Sequence, residues 1–296
     1  MRLGINLHNY GPLGHRRELL EAVDAADELG FDSVWVSDHI IMPKALPDPY
    51  GSIIEAMSTL AFIAGRSARL KLGTSVIVLP QRDPILLAKQ AASLHELSAG
   101  RLTLGVGVGW VQREYEMLGA PWAGRGRTAD EFIEVMQELW SNPDPTFDGT
   151  RIKFDDALFA PRPGNRDSAG HLPLVIGGES TGALRRVAKY ADGWHAIHKT
   201  PTMMQDGKSR LQELTGGKSL EIQLRMQTRI DGSGPLPTVP HIAGNPAEVR
   251  ASVDEFKEAG VDVLIVDFPA SPLRDYLSQM RVFAAAVGLD AAGSEI

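Results

Sequence analysis

The pair Asp38-His39 directly follows the apolar run Ser33-Val34-Trp35-Val36-Ser37, and it is the first place in this chain where chemistry is readable. A histidine at the end of a strand can donate a hydrogen bond or exchange a proton near neutral pH, and an adjacent carboxylate can orient its ring. A hydrogen-bonded rim histidine with no catalytic task is the plainer alternative. Further on, Thr74 and Ser75 interrupt the run Leu72-Gly73-Thr74-Ser75-Val76-Ile77-Val78-Leu79-Pro80. Buried hydroxyls are costly unless bonded, so these either line a ligand or bond the local backbone. Gly105-Val106-Gly107-Val108-Gly109-Trp110 leaves one strand face bare, for a flat ligand or for close packing. Trp110 then stands as a pocket wall or as buried packing. The spacing is not the dinucleotide fingerprint. Finally, the turn Gly177-Gly178-Glu179-Ser180-Thr181 opens into a helix, and free N–H groups, two hydroxyls and a helix N-terminus suit a phosphate. Glu179 opposes an anion there unless it turns away.

Other chemistries find less support. Cysteine is absent, which excludes disulfides, thiolate nucleophiles, iron–sulfur clusters and cysteine zinc sites. His8 lacks the His-x-His partner of barrel metallohydrolases, and strand alternation sends His195 and His198 to opposite faces, so no metal site is expected. His15, His95, His171 and His241 read as surface or loop residues. Lys199 stands where a Schiff-base lysine would, but solvated lysine is the ordinary reading. The net charge of −7, from 37 acidic and 30 basic residues, gives no global attraction to nucleic acid or anionic membrane. The N-terminal residues read as a strand rather than a signal peptide, and no run approaches the ~18–20 apolar residues of a membrane span. A cytoplasmic protein acting on a small molecule is the expectation.

These residues need a frame, and the chain supplies one by alternation. Short Val/Ile/Leu-rich runs, as in strands buried on both faces, lie at Leu3–His8, Ser33–Asp38, Leu70–Leu79, Leu102–Val108, Leu172–Gly177, Gly193–Ile197, Leu220–Ile230 and Val261–Phe268. Helical periodicity fills the intervals at Arg16–Leu29, Ser52–Ala64, Pro84–Leu97, Thr128–Trp140, Thr181–Ala191, Thr202–Leu214, Pro246–Ala259 and Leu273–Val287. Thr128-Ala129-Asp130-Glu131 has capping-box spacing. Eight such units with no break in composition predict one α/β domain over 1–296, a (β/α)8 TIM barrel, with an open doubly wound sheet as the fallback. A hairpin is predicted within 143–165, before strand five, and a long loop over 231–245, after strand seven. Barrel enzymes carry their chemistry beyond the strand C-termini, where each candidate above falls.

In this order the motifs resemble the luciferase-like monooxygenase superfamily, particularly its coenzyme F-420 (deazaflavin) dependent oxidoreductase branch. The resemblance rests on Gly4-Ile5-Asn6, on Leu29 to His39, on Gly73 to Pro80, and on Ser98 to Trp110. Gly124-Arg125-Gly126-Arg127-Thr128, Ile176-Gly177-Gly178 and Ala191-Asp192-Gly193-Trp194 extend it. It implies a deazaflavin ring, or FMN as the alternative, seated in the barrel mouth. Ser75–Val76 would be a non-prolyl cis peptide against the back of that ring. His39 would donate a proton or stabilise the transition state, with Asp38 orienting it. Gly107 and Gly109 would admit the ring or its side chain, while Gly177, Gly178, Ser180 and Thr181 would hold the phosphate. A homodimer is the family expectation. The sugar-phosphate dehydrogenases of the branch carry glutamate where this chain has Trp110, which argues for a more apolar substrate. Hydride transfer to or from an alcohol, ketone or activated alkene leads, with a reduced-FMN two-component monooxygenase second. A non-catalytic flavin-binding protein and a barrel hydrolase or lyase stand further off.

Overall fold

A computed structural model describes residues 1–46, 48–163, 170–231, 236–269 and 272–289. The apolar runs form the barrel strands β1 (Arg2–Asn6), β2 (Ser33–Val36), β3 (Lys71–Thr74), β4 (Leu102–Gly107), β5 (Leu174–Gly177), β6 (Gly193–Ile197), β7 (Glu221–Ile230) and β8 (Val263–Asp267). Each pairs in parallel with the next, and β8 pairs with β1, so the eight strands close on one another. The periodic segments form α1 (Arg16–Glu28), α2 (Ala56–Ala64), α3 (Pro84–Leu97), α4 (Arg125–Ser141), α5 (Thr181–Tyr190), α6 (Pro201–Thr215), α7 (Pro246–Glu258) and α8 (Leu273–Val287). This is the expected (β/α)8 barrel. Among the described residues no helix is long and apolar enough to cross a membrane.

Alternation along the strands divides the core. Leu3, Ile5, Val34, Val36 and Leu72 belong to the large cluster that includes the buried faces of the helices, such as Val23 and Ala26 of α1. Trp35, Val263 and Ile265 form a separate cluster, with Trp35 lying 5.4 Å from the His195 ring of β6. That cluster fills the barrel interior. A Cβ at Gly73 would stand 2.2 Å from the Trp35 ring, so glycine there gives the indole its space.

Four local expectations change. Strand three is shorter than predicted: β3 ends at Thr74, a cis Ser75–Val76 bond follows, and Ile77–Val78 pairs separately with β4. The second helix starts at Ala56 rather than Ser52, capped by the Glu55 carboxylate. The Thr128–Glu131 capping box does not form, because α4 already begins at Arg125 after the left-handed Gly124. Glu131 instead accepts the Arg151 and Ile152 amides at 2.6 and 3.0 Å, gripping the predicted hairpin, Phe147–Asp148 against Lys153–Phe154. The segment after β7 is not all loop, since His241–Gly244 pairs in parallel with Gln227–Ile230. Positions 232–235 of that segment lie outside the described residues, as do 164 and 165 of the hairpin segment.

Gly73→Ala tests the interior packing. Because the Trp35 ring is boxed in, the added methyl is expected to cost about 1–3 kcal/mol. Thermal unfolding should show a Tm lower by several degrees, and an unchanged Tm would mean that the indole is free to move.

Candidate active site

A cavity of about 360 Å³ opens at the C-terminal ends of β2 to β7. It is lined by residues from nearly every predicted motif, including His39, Ser75, Val76, Gly107, Gly109 and Trp110, with Asp38, Gly177 and Gly178. Ser180 and Thr181 do not line it: the Ser180 hydroxyl oxygen caps α5 by accepting the Ala183 amide, and Thr181 is exposed beside it. Trp110 is 61% exposed and meets the His39 ring edge-on at 6.0 Å, so it is a wall of the cavity rather than core packing. The glycines serve packing as well as access. A Cβ at Gly107 would stand 2.7 Å from Val76 Cγ2, and one at Gly109 would stand 2.6 Å from Val78 Cγ1. Of the two hydroxyl residues, Thr74 bonds the backbone of Gly105 in both directions, at 2.7 and 2.8 Å, while Ser75 faces the cavity.

The partner of His39 is not the expected one. Asp38 turns away to Arg82 and to the Val78 amide at 2.9 Å, where its buried carboxylate ties β2 to the end of strand three. Burial pushes the Asp38 carboxyl up, against the pull of Arg82. His39 Nδ1 instead bonds Glu114 Oε2 at 2.9 Å. Glu114 lies in the short helix Gln112–Met117 beyond β4, and its other oxygen accepts the Ile40 amide at 2.8 Å. Burial alone would raise this carboxyl, but the hydrogen bonds from His39 and Ile40 hold it below its ordinary value. A carboxylate accepts only, so the His39 hydrogen sits on Nδ1, and Nε2 has no partner among the described residues. Nothing local in the sequence joins positions 39 and 114; the signal was a glutamate on the first turn after the strand-four glycines.

A buried polar network below the cavity was also missed. Arg225, 4% exposed in mid-β7, donates to Asp267 of β8 at 2.6 Å, to Ser37 Oγ at 3.1 Å and to the Ser75 carbonyl at 3.3 Å. His8 Nε2 meets the other Asp267 oxygen at 2.7 Å. Burial would raise the Asp267 carboxyl, but Arg225 and His8 hold it well below the usual carboxylate range. On the opposite side, His195 Nδ1 bonds Gln223 Oε1 at 2.9 Å, and the Gln223 amide group donates to Glu221. The His195 Nε2 meets Ser75 Oγ at 2.8 Å. Burial pushes the His195 pKa down to about 4, so the ring is neutral at pH 7. The sequence did show a charge at 225 inside an apolar strand, and such a residue needs a buried partner.

Two further readings are corrected. His95 is core rather than surface, 1% exposed within α3 and bonded to the Gly170 carbonyl at 3.1 Å. Lys199 is not solvated but paired with Glu179, which removes much of the negative charge expected beside the Gly177-Gly178 turn. Among the described residues no three His, Cys, Asp or Glu are grouped to hold a metal ion.

A family model for luciferase-like monooxygenases matches residues 2–215. The chain belongs to the luciferase-like monooxygenase family. An uncharacterised protein of Mycobacterium tuberculosis is 32% identical over 188 residues, 58% of this chain and 65% of that one. The F-420-dependent glucose-6-phosphate dehydrogenase of Nakamurella multipartita is 32% identical over 194 residues, 64% of this chain and 55% of the enzyme. The matches thus span less than two thirds of the length of these curated relatives. In fold the chain is similar to the monooxygenase RslO1 of Streptomyces bottropensis, with a TM-score of 0.81 and 22% identity over 97% of this chain and 98% of that one. An F-420-dependent secondary alcohol dehydrogenase bound to an F-420–acetone adduct gives 0.80 and 18% over the same shares. Arg225 and Asp267 lie beyond the segment that the family model matches.

Two measurements check this family member's buried groups. The folded His195 pKa is depressed from 6.5 to about 4. As pH falls through that window, the unfolded chain binds a proton that the folded chain refuses, so stability drops by on the order of 3 kcal/mol. Urea unfolding between pH 7 and 4 should show this slope flattened in His195→Asn; an equally steep slope would place its origin elsewhere. Arg225→Met leaves the Asp267 carboxylate without its cation and is expected to cost about 3–5 kcal/mol at pH 7. The loss should shrink on acidification, as Asp267 takes up a proton; a loss that stays constant would show that Arg225 acts through packing alone.

Proposed function

We propose that this chain is an oxidoreductase that transfers a hydride between coenzyme F-420 and a small organic alcohol, ketone or activated alkene. The observation that carries the reading is His39 at the cavity wall, its Nδ1 fixed on buried Glu114 and its Nε2 without a partner among the described residues. The 32% identity to F-420-dependent dehydrogenases supports the choice of cofactor. The cavity fits a flat ring: Gly107, Gly109, Gly177 and Gly178 offer backbone rather than side chains, and Val76 and Ile197 supply apolar surface.

In this reading Val76, Gly107 and Gly109 would hold the ring, and the Gly177-Gly178 turn would direct its phosphate toward Ser180 and Thr181 at the start of α5. When bound, a deazaflavin supplies a carbon that gives or accepts hydride. The chain supplies the proton. His39 Nε2 stands ready to accept one from an alcohol or give one to a carbonyl oxygen, and the Glu114 carboxylate stabilises the charged ring. Trp110, beside His39, presents apolar surface where a sugar phosphate would need polar groups. The second reading, a reduced-FMN monooxygenase, is favoured by the description of the matching family model and by the fold similarity to RslO1.

Fluorescence titration of the purified chain with F-420 and with FMN decides between them. Micromolar or tighter F-420 binding, with FMN much weaker, is expected, and the reverse order would select the monooxygenase. With a substrate found by screening alcohols and enones, His39→Asn should lower kcat by about 10²–10⁴-fold with F-420 affinity retained. Undiminished turnover would remove the proton role of His39.

A further inference from the structure

Glu114 holds more than His39. Its side chain is 1% exposed, and four N–H donors converge on its two oxygens. Oε1 accepts the Ile40 and Ile41 amides at 2.8 and 3.3 Å. Oε2 accepts His39 Nδ1 at 2.9 Å and, on the same atom, Gln81 Nε2 at 3.2 Å. A carboxylate offers about four lone-pair directions, so these donors fill it. A proton added to Glu114 would have to displace one of them.

The backbone on either side fixes Gln81 in this place. It closes the single 3-10 turn Leu79–Gln81, which follows β3 and the short strand Ile77–Val78. Before it the Val78 amide donates to Asp38 at 2.9 Å; after it Arg82 pairs with Asp38 and, at 3.1 Å, with Glu55. The other end of the Gln81 amide, Oε1, is buried without a partner. Turning the amide over would set that oxygen against the Glu114 carboxylate, so the charge on Glu114 holds the amide as it stands. The charged groups nearby are engaged elsewhere: Asp38 and Glu55 with Arg82, Arg113 with Glu116, and Arg125 over the Trp122 ring at 3.6 Å. Tyr50 and Trp110 meet the His39 ring, and the Tyr115 hydroxyl donates to the Val108 carbonyl.

We propose that Gln81 is a positioning residue for the proton carried by His39, acting on the imidazole through the Glu114 oxygen that the two share. The inference rests on His39 as the proton-exchanging group of the proposed reaction. By donating to Oε2, Gln81 draws on the same negative charge that steadies the protonated ring, and so loosens its hold on that proton. By helping to fill the carboxylate, it also keeps Glu114 from taking the proton itself. The proton then resides on the imidazole, bound weakly enough to be handed to a substrate oxygen and taken back.

NMR titration of the His39 ring nitrogens in the full chain, without cofactor, tests this separately from the F-420 reading. If F-420 fails to bind while the titrations hold, the cofactor reading falls and the role of Gln81 stands. In Gln81→Met, which keeps the length of the side chain and removes the donor, the His39 midpoint is expected to rise by about half a pH unit or more, roughly a threefold gain in proton affinity. Glu114→Gln should lower the midpoint, and adding Gln81→Met to that variant should change it little, because the glutamine acts through the carboxylate. In the unaltered chain the Glu114 ¹³C carboxyl resonance should stay that of an ionised group while His39 titrates, a readout that serves even if a variant does not fold. With a substrate in hand, the His39 limb of the kcat/KM profile should move in Gln81→Met with the NMR midpoint. An unmoved midpoint in Gln81→Met, the same shift with and without the Glu114 carboxylate, protonation of Glu114 in step with His39, or a fixed kinetic limb would each overturn the proposal.

Discussion

A guanidinium inside a barrel is the constraint around which the mouth of this molecule is arranged. Arg225 cannot be left alone in an interior that includes Trp35, Val263 and Ile265, and Asp267 on the neighbouring strand meets it. Once that pair is set, little else is free to vary. The second Asp267 oxygen takes His8, just beyond β1, and the remaining Arg225 donors reach Ser37 after β2 and Ser75 after β3. Five strands, or the segments that leave them, are thereby tied to one charge. Buried ion pairs add little net stability compared with apolar packing, but they tolerate few alternative arrangements. The floor of the cavity is therefore held in one geometry by the same contacts that neutralise the guanidinium.

Most of the frame could be read from the chain, because a closed parallel barrel writes the same pattern eight times. Strands buried on both faces must be apolar, and helices that cover them must be amphipathic. The motifs beyond the strand ends were legible for the same reason: if strand order is known, the loop positions follow. What escaped was pairing across distance. Asp38 adjoins His39 in sequence, yet successive residues leaving a strand diverge, so Asp38 reaches Arg82 while His39 reaches a glutamate seventy-five positions on. Arg225 and Asp267 are separated by a helix and a long loop, and only barrel closure makes them neighbours. Glu131 misled in the opposite sense. Its spacing fits a cap, but the hairpin amides near 151 compete for the same carboxylate and win.

The two histidines at the cavity illustrate how burial assigns different tasks to one side chain. His39 keeps one nitrogen on an ionised partner and the other free, which suits proton exchange. His195 has both nitrogens engaged and a pKa far below neutral, which suits a fixed structural element. The sequence weighed His195 only as a metal ligand beside His198; the partners in the fold separate the two histidines.

The hydrogen on His195 has a consequence for anything that enters the cavity. The carboxylate of Glu221 orients the Gln223 amide, that amide fixes the imidazole hydrogen on Nδ1, and Nε2 must then receive the Ser75 hydroxyl hydrogen. Ser75 has no hydrogen left to offer upward. With the Arg225 guanidinium donating to it from beneath, it presents only a lone pair toward the cavity. An incoming edge that carries an N–H or O–H is welcomed at that spot, while a bare carbonyl is repelled. A relay of three side chains, ending outside the pocket at Glu221, thus sets which tautomeric edge of a heterocycle can lie against Ser75.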